Sequence, residues 1–347
     1  MLSRGGEARH PAGRPERGYL PQLDGLRAFA VGFVLVHHFV PGATWFGGAI
    51  GVDIFFVLSG FLITGILQRE LAKHRRIRLR RFYSRRLVRL YPALITAVLL
   101  SGIAAVFLAP YFSEYLMSSL FALTYTTPFA VEFTSSLTQY WRHTWTLGIE
   151  ELFYLVWPAL LLLAFRRSTR PQTVALWAAA AGALLLGAGI GLEAGQLHAP
   201  YLLRSGGLLL GSALAITLRE HSPRVRGWWG WAGVALLVGA LAVASHAEML
   251  GVTLAIGGTL ALLPGLVHRP GARLTTVLAH PLPVYLGRIS YELYLWHYVI
   301  ITLVFVSTEI PVVETAWWTL PLSIGLAAAS HALLSPQIDR WKARLPS

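Results

Sequence analysis

Cysteine is absent from this chain of 347 residues and charge is scarce, with charged residues at 13% against 55% hydrophobic ones. The lack of cysteine excludes a thiol nucleophile, a cysteine-ligated metal and any disulfide. The shortage of charge excludes an ordinary soluble domain of this length. Metal-ligand spacing is missing as well. His37–His38 and Glu150–Glu151 are adjacent pairs, not the i,i+4 pairs that place two ligands on one helical face, so no metal is expected. No internal repeat is evident, and no appended soluble module is expected. No small-residue cleavage site follows the first apolar run, so a cleaved signal peptide is not expected.

What is present is a series of apolar stretches near the length that crosses a bilayer. They recur about ten times, centred on 26–40, 50–67, 90–109, 148–165, 172–192, 201–218, 228–245, 248–267, 284–307 and 316–334. The expected fold class is all-α, a polytopic membrane protein with about ten transmembrane helices. Basic residues occupy every second connection: Arg4, Arg9, Arg14 and Arg17, the cluster from Arg69 to Arg89, Arg166, Arg167 and Arg170, then Arg219, Arg224 and Arg226, Arg269 and Arg273, and finally Arg340, Lys342 and Arg344. Glu114, Glu132, Glu193, Glu248, Glu309 and Glu314 fall in the others. Because cytoplasmic loops collect Lys and Arg, both termini are expected in the cytoplasm of a multi-pass protein of the cell membrane. Residues 1–19 read as a disordered basic tail, 20–340 as the membrane domain and 341–347 as a short cytoplasmic tail. The net charge of +13 is then mainly a topology signal rather than a nucleic-acid footprint.

Several ionisable residues lie inside the apolar runs. An ionisable group at depth costs about 2.5–3.5 kcal/mol on insertion scales, so such groups point to chemistry. Arg27 and His38 share the run LRAFAVGFVLVHHFV. Their interval is three helical turns plus roughly 20°, which puts both on one face about 16 Å apart.

The segments LDGLRAFAVGFVLVHHF (23–39), GVDIFFVLSGFLITG (51–65), RFYSRRLVRLYP (81–92), HTWTLGIEELFYLVWP (143–158) and ISYELYLWH (289–297) follow one another in order. Together they resemble the successive signatures of the membrane-bound acyltransferase type three family, which includes O-antigen, exopolysaccharide and peptidoglycan O-acylases. The resemblance implies a ten-helix core that moves an acyl group, by default acetyl, from cytoplasmic acyl-CoA to a hydroxyl, often of an extracytoplasmic glycan. Arg27 and His38 match the family's Arg-x10-His pair, Asp53 its helix-two acid, Arg86 and Arg89 its RxxR element, and Glu150 the acid of its SxExxFY motif. Gly148 stands where that motif usually has Ser, and Thr146 replaces a common Ser just before it.

Topology adds a depth to each residue. Arg27, Arg86 and Arg89 fall at the cytoplasmic ends of their spans, whereas His38, Asp53, Glu150 and Glu151 are expected in the outer halves. The anionic phosphates of acyl-CoA suit the arginine forks, and its slender arm suits a path toward His38. His38 is the expected general base, because imidazole titrates near operating pH. A carboxylate beside it would hold its tautomer. Asp53 is the favoured orienter and Glu150 the acceptor-side acid, with the reverse as the alternative. Direct transfer and an acyl-histidine route both fit these residues.

Plainer readings stand beside these. Arg75, Arg76, Arg78 and Arg80 read as topogenic or lipid-contacting charge. His37 points about 100° from His38 and reads as packing, Ser59 as a small residue beside Gly60 that permits close helix contact, and His297 as a structural hydrogen-bonding residue. Trp45, Trp141, Trp145, Trp228 and Trp317 mark interfacial belts, and Trp141 and Trp145 also suit a sugar ring. Glu151, Trp145, Arg204 and His297 are candidate substrate-binding residues. Arg142 and Arg204 are expected to pair with Glu150 or Glu151, or to bind acceptor. Segment 110–147 reads as an outer lid or a surface helix. The expected partners are acyl-CoA, a hydroxyl-bearing acceptor such as a surface or lipid-linked glycan, and membrane lipid. A secondary transporter with buried charges along a solute path is the alternative function.

Overall fold

The computed structural model of the chain describes residues 19–40, 50–134, 136–198, 200–221 and 225–345. The expected tail over 1–18, with Arg4, Arg9, Arg14 and Arg17, lies outside the described residues, as do Trp45 and Arg224. Lipid offers no hydrogen bonds, so apolar runs of this length satisfy their backbone internally as helices. The helices are α1 (Pro21–Phe39), α2 (Ile50–His74), α3 (Leu79–Leu108), α4 (Phe112–Leu123), α5 (Thr127–Ala130), α6 (Trp145–Arg166) and α7 (Pro171–Ala194). They continue with α8 (Gly206–Glu220), α9 (Trp228–Val243), α10 (Glu248–His268), α11 (Arg273–Leu278), α12 (Pro281–Arg288), α13 (Ser290–Thr308) and α14 (Val312–Arg344). Short 3-10 turns cover Ser136–Thr144 and Tyr201–Ser205.

Each of the ten expected spans corresponds to a long helix: α1, α2, α3, α6 to α10, α13 and α14. Among the described residues, 8 helices are long and apolar enough to cross a membrane, while α9 is apolar but shorter. In α1, Asp24, Arg27, His37 and His38 dilute the apolar run. The chain is an all-α polytopic membrane protein. Helices α2, α3 and α14 extend beyond the apolar stretches into arginine-rich sequence. Pro336 lies within the α14 extension without ending that helix, and long basic side chains reach water from a helix end.

Segment 110–147 folds as α4, α5 and the first 3-10 turn, packed onto α3. Tyr115 of α4 donates to the Val98 carbonyl at 2.6 Å and lies 2.7 Å from the Ser101 hydroxyl. Trp141 is fully buried, donating its indole N–H to Ser119 Oγ at 3.1 Å. It is a packing residue, unavailable to stack on a sugar.

Helices α2 and α8 form the pair that positions the polar groups, and they run parallel. Asp53 faces Arg204 and Gly60 faces Ser212, at sequence separations of 151 and 152. The Ser212 hydroxyl donates to the Gly60 carbonyl at 3.2 Å. Such an approach requires glycine on both sides. A Cβ on Gly60 would strike the Leu208 carbonyl, and one on Gly211 would strike that of Val57. Small residues at a helix contact let backbones close in where lipid supplies little drive for association.

Candidate active site

Two cavities, each with charged side chains in a mainly apolar wall, lie along the bundle. The first, of about 550 Å³, is lined by Arg27, Arg69, Arg86, Arg89 and Arg219, together with Glu150 and Glu151. The second, of about 370 Å³, is lined by His37, His38, Arg142, His143, Arg204 and Tyr298 among others. Val52 and Tyr294 line both, so the two cavities adjoin at these side chains. Helix α1 spans the pair, placing Arg27 on the first cavity and His38 on the second. Helix α2 runs the opposite way, with Ile50 on the second and Arg69 on the first.

The imidazoles of His38 and His143 line the second cavity, and the fully buried His297 packs against both. Ring centroids of His38 and His297 lie 5.1 Å apart, and those of His143 and His297 5.5 Å. Tyr298 stacks on His143 at 4.6 Å. His38 Nδ1 is 2.9 Å from the carbonyl of Val34. A carbonyl can only accept, so Nδ1 carries the proton and Nε2 keeps its lone pair. One turn of its own helix thus sets the tautomer, the role often taken by a second residue. His297 repeats the arrangement, with Nδ1 3.0 Å from the Leu293 carbonyl and Nε2 buried without a partner. His37 lines the same cavity, edge-on to His38 at 5.0 Å, so it is more than packing.

Asp53 does not touch His38. Its carboxylate is fully buried and takes two hydrogen bonds from Arg204, Nε to Oδ1 at 3.2 Å and Nη2 to Oδ2 at 2.7 Å. Arg204 Nη1 also donates to Glu248 at 3.1 Å. The expectation that Asp53 orients the imidazole is therefore corrected, as is the pairing of Arg204 with Glu150 or Glu151. A guanidinium this deep needs a bidentate acid, and Asp53 is the one that the parallel α2–α8 register supplies.

Glu150 and Glu151 are also not on the histidine side. Glu151 accepts from Arg86 Nε at 2.8 Å, and Glu150 lies 3.9 Å from Arg86 Nη2. Glu150 further accepts from Ser59 at 2.7 Å and from Tyr154 at 3.3 Å. The Arg86 guanidinium carbon sits over the Tyr154 ring, 3.1 Å from its centroid. The expected sorting of cations to one end and carboxylates to the other thus fails for this pair. The 3-10 turn Ser136–Thr144 carries the chain inward before α6 begins. Trp145 then lies at the histidine level, and Glu150, five residues on, sits about 7.5 Å deeper. Ser59 is a hydrogen-bond donor here, and the close helix contact belongs to Gly60.

Trp145 lines the second cavity and stacks on Tyr201 at 4.4 Å. Thr146 stands 2.8 Å from the Tyr294 hydroxyl, which in turn donates to the His143 carbonyl at 2.6 Å. Gly148 occupies the usual Ser position because a Cβ there would meet Pro128 and the Tyr125 carbonyl. His143, Tyr154, Tyr298 and the cavity positions of Arg69 and Arg219 were not singled out by sequence. His143 opens one of the family-like segments, which was a usable signal, whereas the others gave none.

Arg27, Arg69, Arg89 and Arg219 have no hydrogen-bond or ion-pair partner among the described residues, and Arg27 Nε is buried in that condition. Four unmatched guanidiniums thus ring the first cavity, and the His38 imidazole lines the second. Residues 20–334 match the family described as an acyltransferase domain. The chain belongs to that family. It is 30% identical over 325 residues to peptidoglycan O-acetyltransferase OatA of Listeria monocytogenes, covering 84% of this chain and 50% of that protein. With O-acetyltransferase OatA of Staphylococcus aureus the identity is 32% over 334 residues, covering 85% of this chain and 53% of that protein. The chain therefore spans about half the length of these curated relatives. No solved structure matches it. Membership in an acyltransferase family sets aside the transporter alternative.

Proposed function

We propose that the chain transfers an acetyl group from acetyl-CoA to a hydroxyl of a surface or lipid-linked glycan in the cytoplasmic membrane. The observation that carries this reading is the pair of adjoining cavities, one ringed by unmatched arginines and the other holding His38, with Val52 and Tyr294 in the walls of both. The arginine end faces the cytoplasm, as its basic connections favour. The donor's phosphates bind to Arg27 and Arg89 by charge-assisted hydrogen bonds. Arg86 contributes by holding Glu150 and Glu151 rather than by meeting phosphate. The pantetheine arm runs toward Tyr294, bringing the thioester to where the cavities adjoin, and no nucleotide has to cross the bilayer.

The acceptor enters the second cavity, where Trp145 and Tyr201 present an aromatic face to a sugar and Arg142 a cation. His38 Nε2 removes the proton of the acceptor hydroxyl. The oxygen attacks the thioester carbonyl, the C–S bond breaks, and the CoA thiolate takes the proton back from the imidazolium. His297 and His143, which contact no carboxylate, add no negative charge that would pin the base in its charged form. The names of the two relatives support acetyl as the group moved, and that of the Listeria protein supports a glycan acceptor.

His38→Ala tests this reading. General-base loss lowers a rate by about 10²–10⁴-fold, so transfer from radiolabelled acetyl-CoA to membrane glycan falls by that factor while acetyl-CoA still binds. Wild-type transfer rates in the variant would remove His38 from the reaction.

A further inference from the structure

The two ends of the α2–α8 pair are finished in opposite ways. At one end the parallel register sets Asp53 against Arg204, and the charges cancel through two hydrogen bonds. At the other end the same register brings Arg69 of α2 and Arg219 of α8 to the wall of one cavity. Two like charges stand there, neither with an acid partner. Glu70, next in sequence to Arg69, instead accepts from the backbone N–H of Arg78 at 3.0 Å. Glu220, next to Arg219, forms no ion pair among the described residues.

Topogenic charge alone would let both side chains reach outward into headgroups. Both instead line the 550 Å³ cavity that also holds Arg27 and Arg89, and both remain exposed. Arg86 is not available to complete the anion site, because Glu150 and Glu151 already occupy it. The cavity thus offers four guanidiniums without an acid partner, two carried by α1 and α3 and two by α2 and α8. Acyl-CoA carries its negative charge in two separate places, the diphosphate and the 3′-phosphate of the ribose.

We propose that Arg69 and Arg219 form a subsite for a phosphate monoester at the cavity mouth, receiving the donor's ribose 3′-phosphate while Arg27 and Arg89 hold the diphosphate. This rests on the acetyl-CoA reading above and adds to it the basis of nucleotide recognition. A dianionic phosphate between two guanidinium forks turns their mutual repulsion into shared attraction, and nothing in the subsite senses the acyl group.

The test compares acetyl-CoA with 3′-dephospho-acetyl-CoA binding to the full chain in nanodiscs of neutral lipid. Wild type is expected to prefer acetyl-CoA by about tenfold or more, the worth of charge-assisted bonds to one phosphate. In the Arg69→Gln/Arg219→Gln double variant that preference collapses to within about twofold, while affinity for the dephospho compound stays at the wild-type value. Unchanged dephospho binding also certifies the fold. Arg89→Gln weakens both ligands together and keeps their ratio. A double variant that retains the wild-type preference overturns the subsite. If that variant also loses phosphatidylglycerol retained by the wild type, the pair belongs to a lipid headgroup. Wild type that binds neither nucleotide overturns the donor reading itself and the subsite with it, a result distinct from a retained preference.

Discussion

Arg86 and Glu151 are joined by a 2.8 Å hydrogen bond from Nε, and that bond divides the two arginines of the RxxR element into different tasks. Arg86 stands between two carboxylates and covers an aromatic ring, whereas Arg89, one turn on, faces the same cavity with no acid of its own.

Substitution should separate the two. Arg86→Ala strands Glu150 and Glu151 and is expected to destabilise the protein by about 3–5 kcal/mol, seen as a lowered thermal midpoint in detergent. Arg86→Lys recovers little, because an ammonium cannot reproduce the fork or cover the Tyr154 ring. Arg89→Ala should leave the midpoint unchanged or raise it, since it removes an unmatched charge. Its acetyl-CoA affinity should fall by about 1.5–3 kcal/mol, roughly 10- to 150-fold. Equal effects of the two alanine variants on stability would contradict this division.

Asp53 and Arg204 make a buried pair away from His38. Asp53→Ala should cost about 3–5 kcal/mol of stability by leaving a buried guanidinium uncompensated. The Asp53→Leu/Arg204→Met double variant should recover much of that loss, because apolar replacement of a buried ion pair is often neutral. Were Asp53 the partner of His38, the double variant would regain stability and yet show the activity loss of His38→Ala. Transfer assays on the refolded-stability variant decide between these outcomes.

Tyr294 stands where the two cavities adjoin, held by bonds to Thr146 and the His143 carbonyl. Tyr294→Phe leaves two buried polar groups short of a partner and should cost about 1–3 kcal/mol. Tyr294→Ala opens a path between the cavities. The expected outcome is a higher ratio of acetyl-CoA hydrolysis to glycan acetylation, measured by free acetate against labelled glycan. A variant that lowers both in proportion would show that this side chain does not exclude water.

The close contact of α2 with α8 gives a further check. Gly60→Leu must push the helices apart, and overpacking of this kind costs about 1–3 kcal/mol. The change should also slacken the Asp53–Arg204 bonds at one end of the pair. Tritium or deuterium exchange of α8 amides, faster in the variant than in wild type, would report it.

Much of the architecture was legible in the linear chain. Each apolar run became a long helix, because an apolar stretch in lipid has no other way to satisfy its backbone. Arg27 and His38 reach different cavities on one helix, as their spacing required. Charge partners were not legible. Glu150 was placed with the histidines because the 3-10 turn before α6 has no hydropathy signature, yet that turn shifts the acid about 7.5 Å along the bundle. Asp53 was matched to His38 because a short connection joins their helices, but its partner came from a helix 151 residues later.

The sequence by itself determined the helices, their alternation and the fact that ionisable groups are buried among them, since hydropathy and periodicity are properties of one segment at a time. Only the tertiary structure decided which charges cancel and which stay open. That outcome depends on the register between helices far apart in the chain: on α2 and α8 it closes one end with Asp53 and Arg204 and leaves Arg69 and Arg219 facing a cavity at the other.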